Sequence, residues 1–291
     1  MNNKVIIKLP VTEKARKINR FLKKYDIPTI CRSAGCPNRG ICWNNGEVTF
    51  LLLGNTCTRN CRFCKVEENL YPESNTINTN EPYIISSAIT ELDLEYIVLT
   101  SVTRDDLPDH GFGYLKDTVQ YLQKNNPKCL IEVLAPDFQG NELYIKQLCE
   151  LKNISVISHN IEMVKELYPR VRPECHYETS INILKHMVSY FKGPVKTSFM
   201  LGLGENPDQI TNLLNDLKKI DISILYIGQY YMPSKDHYPV KKIYTKEEIK
   251  FIEKLAIEMG FSCVLAGQSV RSSFQARETF LHFQSKLGVK N

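Results

Sequence analysis

No apolar run in this sequence approaches the length needed to cross a bilayer, so a membrane partner is not expected. Internal repeats and low-complexity linkers are also missing, which argues against a repeat array or a string of tethered modules. The opening stretch, Met1 to Pro10, has neither a secretory-signal layout nor the Arg- and Ser-rich character of a transit segment; a cytoplasmic location is expected. Ten cysteines without an export signal argue against a disulfide framework. No histidine falls between Cys31 and Cys64, although six cysteines do. The net charge of +5 is modest and lacks the dense basic patch that nucleic acid usually demands; it permits an acidic protein partner.

What is present is an ordinary folded composition: 291 residues, 43% hydrophobic and 24% charged, enough for one large core with end extensions. The densest basic cluster is Lys14, Arg16, Lys17, Arg20, Lys23 and Lys24. Ala15, Ile18, Leu22 and Tyr25 recur through it at helical spacing, which predicts an amphipathic helix with a solvated basic face. A docking surface for an acidic carrier is the sharper alternative.

The cysteines fall in two triplets, Cys31-x4-Cys36-x5-Cys42 and Cys57-x3-Cys61-x2-Cys64. Between them, residues 48–54 read as a buried strand, so the second triplet sits in the loop leaving that strand. Three thiolates hold three irons of a [4Fe–4S] cubane and leave the fourth open to another ligand. Cys-x3-Cys-x2-Cys after a strand is the signature of the radical S-adenosylmethionine (radical SAM) superfamily. A structural zinc site prefers four ligands in two close pairs, whereas each triplet here is odd, so iron–sulfur is favoured. Cys129, Cys149, Cys175 and Cys263 are scattered and are expected to pack as small hydrophobes.

From residue 81 onward helix-like and strand-like segments alternate. Helices are expected at 81–94, 112–125, 141–151, 161–167, 177–191, 207–220 and 245–259, and strands at 96–102, 130–135, 154–158, 195–201, 224–228 and 261–267. Residues 67–80 read as a loop. Leaving the 261–267 run to the tail and counting the strand at Val48, this makes six β–α units, a parallel α/β arrangement whose spacing fits either an open sheet or a partial barrel. Polar residues gather just after the strands, where sites in such folds are built. Gly202-x-Gly204-Glu205 reads as a tight strand-to-helix turn rather than a phosphate loop.

The order of the triplets, together with Cys36-Pro-Asn, Cys57-Thr-Arg, Thr100-Ser-Val-x-Arg-Asp-Asp-Leu107, Pro136-Asp-Phe, His159-Asn-Ile-Glu162, Val171-Arg-Pro173, Gly202-Leu-Gly-Glu205, Gly228-Gln-Tyr and Arg271-Ser-Ser, resembles the lipoyl synthase family. The likeness runs from about Cys31 to Ala276. It implies a partial (β/α)6 TIM-type barrel of the radical SAM kind at 47–260. An N-terminal extension at 1–46 and a C-terminal extension at 261–291 flank it. Cys57, Cys61 and Cys64 would carry the reducing [4Fe–4S] cluster, with S-adenosyl-L-methionine on its open iron. Cys31, Cys36 and Cys42 would hold an auxiliary [4Fe–4S] cluster, with Ser273 (or its neighbour Ser272) as fourth ligand. The other reading of Ser273 is a cap for a helix at 274–287. Thr100, Ser101, Asn160, Glu162 and Arg172 would meet S-adenosylmethionine, the alternative being that they satisfy loop backbone.

The implied activity is sulfur insertion at C6 and C8 of an octanoyl group amide-linked to a lysine of a lipoyl-carrier protein. An alkyl C–H has no acidity for a side-chain base to exploit, so radical chemistry from cofactors is required and no side chain need act as acid or base. The auxiliary cluster would be the sulfur donor. Implied partners are the octanoylated carrier, an electron donor such as ferredoxin or flavodoxin, and an iron–sulfur carrier for cluster repair. Three departures from the family pattern stand out: Phe274 where Tyr is usual, Ser158 where Asn is usual, and a short N-terminal extension. None removes an iron ligand. A different two-cluster radical enzyme and a zinc-stapled binding module are the rival readings.

Overall fold

The apolar runs that were expected to be strands are strands, and what flanks them decides their lengths. The computed structural model describes residues 11–70, 77–286 and 288. The opening stretch Met1 to Pro10, Pro72 in the expected loop and Leu287 at the end of the expected last helix lie outside them. The chain forms two compact units. One comprises Met1–Arg59, Lys65–Gln139 and Leu151–Ser155; the other comprises Asn60–Cys64, Gly140–Glu150 and Val156–Asn291.

The first unit opens with helix α1 (Glu13–Lys24), whose Thr12 cap accepts from the Ala15 N–H and whose Ala15, Ile18, Phe21 and Leu22 are buried. The short helices α2 (Ile30–Ser33) and α3 (Arg39–Asn44) follow. Strand β1 (Val48–Leu52) pairs in parallel with β4 (Tyr96–Ser101), and β4 with β5 (Leu130–Leu134). All five β1 residues are buried, as expected of a parallel strand covered on both faces. The expected 48–54 strand stops at Leu52 because Leu53 and Gly54 both take positive φ and turn the chain away. A two-residue strand β2 (Thr56–Cys57) pairs with β3 (Glu67–Glu68), so the expected 67–80 loop contains a strand. Helices α4 (Glu81–Glu91) and α5 (Phe112–Asn125) pack together. Helix α4 ends short of residue 94 because Asp93 is left-handed.

Glu81, in the first turn of α4, is 2% exposed. The Tyr114 hydroxyl donates to it at 3.0 Å. Burial outweighs that bond and one from Leu53, and pushes the carboxyl up to about 7. Between the ordinary value of 4.5 and about 7 the folded chain keeps a proton that the unfolded chain has lost. Stability therefore falls as pH rises through this window and levels off above it, a cost of about 3 kcal/mol. Glu81→Gln is expected to raise Tm at pH 8 and leave it nearly unchanged at pH 5. A variant that keeps the wild-type slope of Tm with pH would contradict the assignment.

The second unit contains α6 (Glu142–Cys149), most of β6 (Ile154–Ser158), α8 (Tyr177–Tyr190), β7 (Val195–Leu201), α9 (Pro207–Ile220), β8 (Ile224–Gln229), α10 (Lys246–Glu258), β9 (Cys263–Gly267) and α11 (Ala276–Lys286). Between β6 and α8 lies only the four-residue α7 (Tyr168–Val171), preceded by a single 3-10 turn at Lys165–Leu167. The expected 161–167 helix does not form. Glu162, at φ 64°, donates its N–H to Ser198 O at 3.0 Å and accepts from Met200 N–H at 2.8 Å, so this segment runs beside β7 instead. Capping boxes at Asn206/Gln209 and Thr245/Glu248 start α9 and α10 where the sequence places them. Strands β6 to β9 pair in parallel. Within each unit, strand order follows chain order with no reversal, the pattern of a barrel-type winding rather than of a doubly wound sheet with its switch point.

Candidate metal centres and cofactor site

The first triplet is held by two short helices. Cys31 on α2 and Cys42 on α3 are buried, and Cys36 in the turn between them is half-buried. Helix α2 packs on β1 and α3 on α1. The Cys36 N–H donates to Cys31 O at 3.2 Å, and the Cys42 N–H to Asn38 O at 2.9 Å. Desolvation raises the Cys31 thiol, the neighbouring Thr49 opposes it, and Cys36 is near enough to add to the rise. The donor set is sulfur alone, the soft set that suits an iron–sulfur cluster. Among the described residues no three Cys, His, Asp or Glu side chains already converge as a metal cage, so the fit rests on donor chemistry.

Cys57 ends β2 in the same unit, and the Asn69 N–H donates to its carbonyl at 2.8 Å. The next two residues are anchored from below. Thr58 bonds Thr103 O through both its N–H (3.0 Å) and its hydroxyl (3.1 Å), and its Oγ1 accepts from the Asp105 N–H. The Arg59 side chain, 3% exposed, reaches both carboxylates at the strand ends. Its Nε and Nη2 donate to Asp105 at 2.6 and 2.9 Å, and its Nη1 and Nη2 to Asp137, the latter bond at 2.8 Å. Gln139 ties in by donating its side-chain N–H to Asp105 at 2.8 Å and its backbone N–H to Asp137 at 3.2 Å. Arg104, fully buried, pairs with Asp106 beside it. Sequence reasoning gave these side chains no role. The available signal was that Cys57-Thr-Arg, Arg104-Asp-Asp and Pro136-Asp each combine one charge with a strand end. Thr100 and Ser101 end β4 in this unit, and the shielded Ser101 Oγ has no hydrogen-bond partner among the described residues.

Cys61 and Cys64 belong to the second unit, where their loop is secured through backbone. Cys64 N–H donates to Cys61 O (2.8 Å), Arg62 N–H to Val171 O (2.9 Å) and Tyr238 N–H to Arg62 O (2.7 Å). His237 Nε2 lies 2.9 Å from Cys64 O and Nδ1 lies 2.8 Å from Ser234 Oγ. A carbonyl can only accept, so Nε2 carries a proton and donates it to Cys64 O. The Cys61 thiol is pushed up by a hydrogen bond with Cys175 and by desolvation, with Arg172 opposing. Of the four scattered cysteines, Cys129, Cys149 and Cys263 pack as expected, and burial pushes the first two up to about 12. Cys175 is buried too, but it touches a proposed iron ligand, which its position in the sequence did not suggest.

Around Cys61 the predicted cofactor residues of this unit come together. Desolvation raises the Glu162 carboxyl, Arg172 and Asn160 oppose it, and Ser198 Oγ donates to Asn160 Oδ1 at 2.9 Å. Arg172, just after α7, places its guanidinium over the Tyr168 ring at 5.9 Å. Its Nε and Nη1 are shielded from solvent without a hydrogen-bond partner among the described residues. Buried guanidinium donors lacking an acceptor beside a carboxylate fit an amino acid's carboxylate and amine, the two groups S-adenosylmethionine would present. Arg172→Gln is expected to weaken S-adenosylmethionine binding by about 10- to 100-fold, the worth of a charged hydrogen-bonded pair, while iron content holds. Equilibrium dialysis with the iron-loaded protein checks this, and an unchanged Kd would remove Arg172 from the site.

Ser273 sits in the turn before α11, which begins at Ala276, so Ser273 is not that helix's cap. The turn is fitted closely to β8: a Cβ at Gly228 would lie 2.3 Å from Val270 O, so the position requires glycine. Phe274 packs against the apolar cluster of Ile224, Tyr226, Cys263, Val270 and Phe283. The Gly202–Glu205 turn is a strand-to-helix turn, as expected. Its three successive N–H groups donate to the Glu205 carboxylate at 2.6, 2.9 and 3.0 Å, which fills the place a phosphate would need.

Residues 51–217 match the model of the Radical SAM superfamily. The chain is 41% identical over 280 residues to "Lipoyl synthase, mitochondrial" of Bos taurus, covering 94% of this chain and 74% of that protein. It is 39% identical over 269 residues to "Lipoyl synthase" of Aquifex aeolicus, covering 92% and 96%. The crystal structure of methylornithine synthase (PylB) superposes with a TM-score of 0.54 at 13% identity, over 99% of this chain and 96% of that one, a likeness of fold. Radical SAM enzymes use a [4Fe–4S] cluster with S-adenosylmethionine, which agrees with the thiol loop and with the two Arg172 nitrogens that lack an acceptor among the described residues. From its cysteine spacing, its α/β winding and these matches, the chain belongs to the lipoyl synthase family of the radical SAM superfamily.

Proposed function

We propose that this enzyme inserts two sulfur atoms, at C6 and C8, into an octanoyl group carried on a lysine of a lipoyl-carrier protein, with a second [4Fe–4S] cluster on Cys31, Cys36 and Cys42 as sulfur donor. The observation that carries this is the separate sulfur-only group on α2 and α3, ahead of the strand that leads to the radical SAM loop. The bound groups would supply one-electron chemistry able to open an unactivated C–H bond, and the sulfur. The chain's own residues position and shield. Cys57, Cys61 and Cys64 would hold the reducing cluster. Arg172, Glu162 and Asn160 would orient S-adenosylmethionine in the second unit, and Thr100 and Ser101 would offer hydroxyls in the first. Ser273, in the turn before α11, would be the auxiliary cluster's oxygen ligand, a harder and more readily vacated donor than thiolate. No general acid or base is required, because no step depends on the acidity of the C–H bond.

The electron donor would be a ferredoxin or flavodoxin, an iron–sulfur carrier would rebuild the consumed cluster, and the cytoplasm would be the working compartment. The test is an anaerobic, reconstituted assay on an octanoylated lipoyl domain, read by mass for two added sulfurs. A product whose sulfur derives from elsewhere than the protein's own iron–sulfur, or turnover of a free small molecule with none of the carrier, would overturn the reading.

A further inference from the structure

The chain's positive charge is not spread over it. Helix α1 holds six basic residues and one acidic, a net +5, and the whole chain, with 37 basic and 32 acidic residues, is also +5. The remainder balances to zero, so the entire excess lies on one twelve-residue helix. Arg16, Lys17, Arg20, Lys23 and Lys24 are exposed and recur at intervals of three, four and seven, which puts them on one face. Glu13 answers Arg16 and Arg20 at 3.0 and 2.7 Å, whereas Lys17 and Lys23 form no ion pair among the described residues.

The helix is bolted to the elements that carry the first triplet. Asn44, the last residue of α3, accepts from the Thr12 N–H at 3.0 Å and from its hydroxyl at 2.9 Å. Arg32, next to Cys31, donates to Asn19 O and Oδ1 at 3.0 and 2.9 Å. A partner resting on the basic face is therefore separated only by α1 from the elements that carry Cys31 and Cys42. The apolar side of α1 is consumed by its own core, which leaves nothing to insert into lipid. A single helix of about 18 Å also lacks the extended stripe and interleaved aromatics of a nucleic-acid track.

We propose that the basic face of α1 is the docking surface for the carrier protein, and that the carrier offers it an acidic patch beside its acylated lysine. This rests on the functional reading above. Exposed interfacial charges act mainly on encounter and are screened by salt, so their signature is in KM. The experiment compares an octanoylated lipoyl domain with a short, uncharged octanoyl-lysine peptide. Lys17→Glu/Lys23→Glu/Lys24→Glu is expected to raise KM for the domain about tenfold or more at low salt, with kcat unchanged and peptide kinetics unaffected. Wild-type KM for the domain should climb with added salt while that for the peptide stays flat, a result that needs no variant. The milder triple Gln variant should give about a threefold rise and guards against a folding defect, as does the Tm of each variant.

Unchanged domain KM, or equal changes for domain and peptide, would overturn the proposal. So would a charge-dependent affinity of α1 for anionic vesicles or an RNA oligonucleotide with no effect on the carrier. Wild-type enzyme inactive on both substrates would instead strike the functional reading itself.

Discussion

Replacing Cys31 with alanine is expected to lower the iron content of the anaerobically reconstituted enzyme from about eight atoms per chain to about four. S-adenosylmethionine cleavage should persist and sulfur transfer to the octanoyl carrier should stop. The substitution removes a buried thiol that lies beside Thr49 and close to Cys36. The loop of Cys61 and Cys64 hangs on Val171, Tyr238 and His237, none of which belongs to the elements that hold Cys31. The two functions should therefore separate cleanly. Iron and reductive cleavage are measured on the same sample. Retention of eight irons, or loss of both activities together, would show that the first triplet is not an independent cluster site.

The second large effect concerns Arg59. Asp137→Ala is expected to destabilise the protein by about 3–5 kcal/mol, because it strips one of two carboxylates from a cation that is 3% exposed. Asp137→Asn keeps an acceptor for one guanidinium N–H and should cost less, about 1–2 kcal/mol. Arg59 lies two residues from both Cys57 and Cys61, so the alanine variant should also load iron poorly at the radical SAM loop while the first triplet still fills. Denaturant unfolding of the metal-free protein and iron content after reconstitution report the two consequences separately. An alanine variant within 0.5 kcal/mol of wild type, about the ordinary surface range, would mean that the network is not holding the loop.

Much of the site was legible in the chain itself. The cysteine spacings identified soft-metal chemistry because a cluster needs thiolates at short intervals and tolerates few other arrangements. Alternating apolar runs announced parallel strands because a strand covered on both faces must be apolar throughout. The 161–167 segment misled, since its composition suits a helix while its backbone is spent on β7. Arg59, Asp105 and Asp137 stood in stretches noted for their motifs. Even so, a buried ion-pair network spans residues 46 and 78 positions apart, and no local pattern reveals such a pairing. For the same reason Cys175 reads in the sequence only as a packing residue, and its contact with Cys61 does not show.

Sequence alone determined the candidate chemistry: which thiols would bind iron, where the strands longer than two residues lie and in what order, and that the excess charge gathers on one helix. Those properties follow from residue type and spacing over a few turns of chain. Tertiary structure decided what each charged or polar group answers to: Arg59 has its two carboxylates, Arg172 keeps two nitrogens unanswered, Ser273 is not a cap, and α1 is fastened to the elements bearing Cys31 and Cys42. Partnership between side chains depends on distances the fold sets through packing, and a linear chain does not contain them.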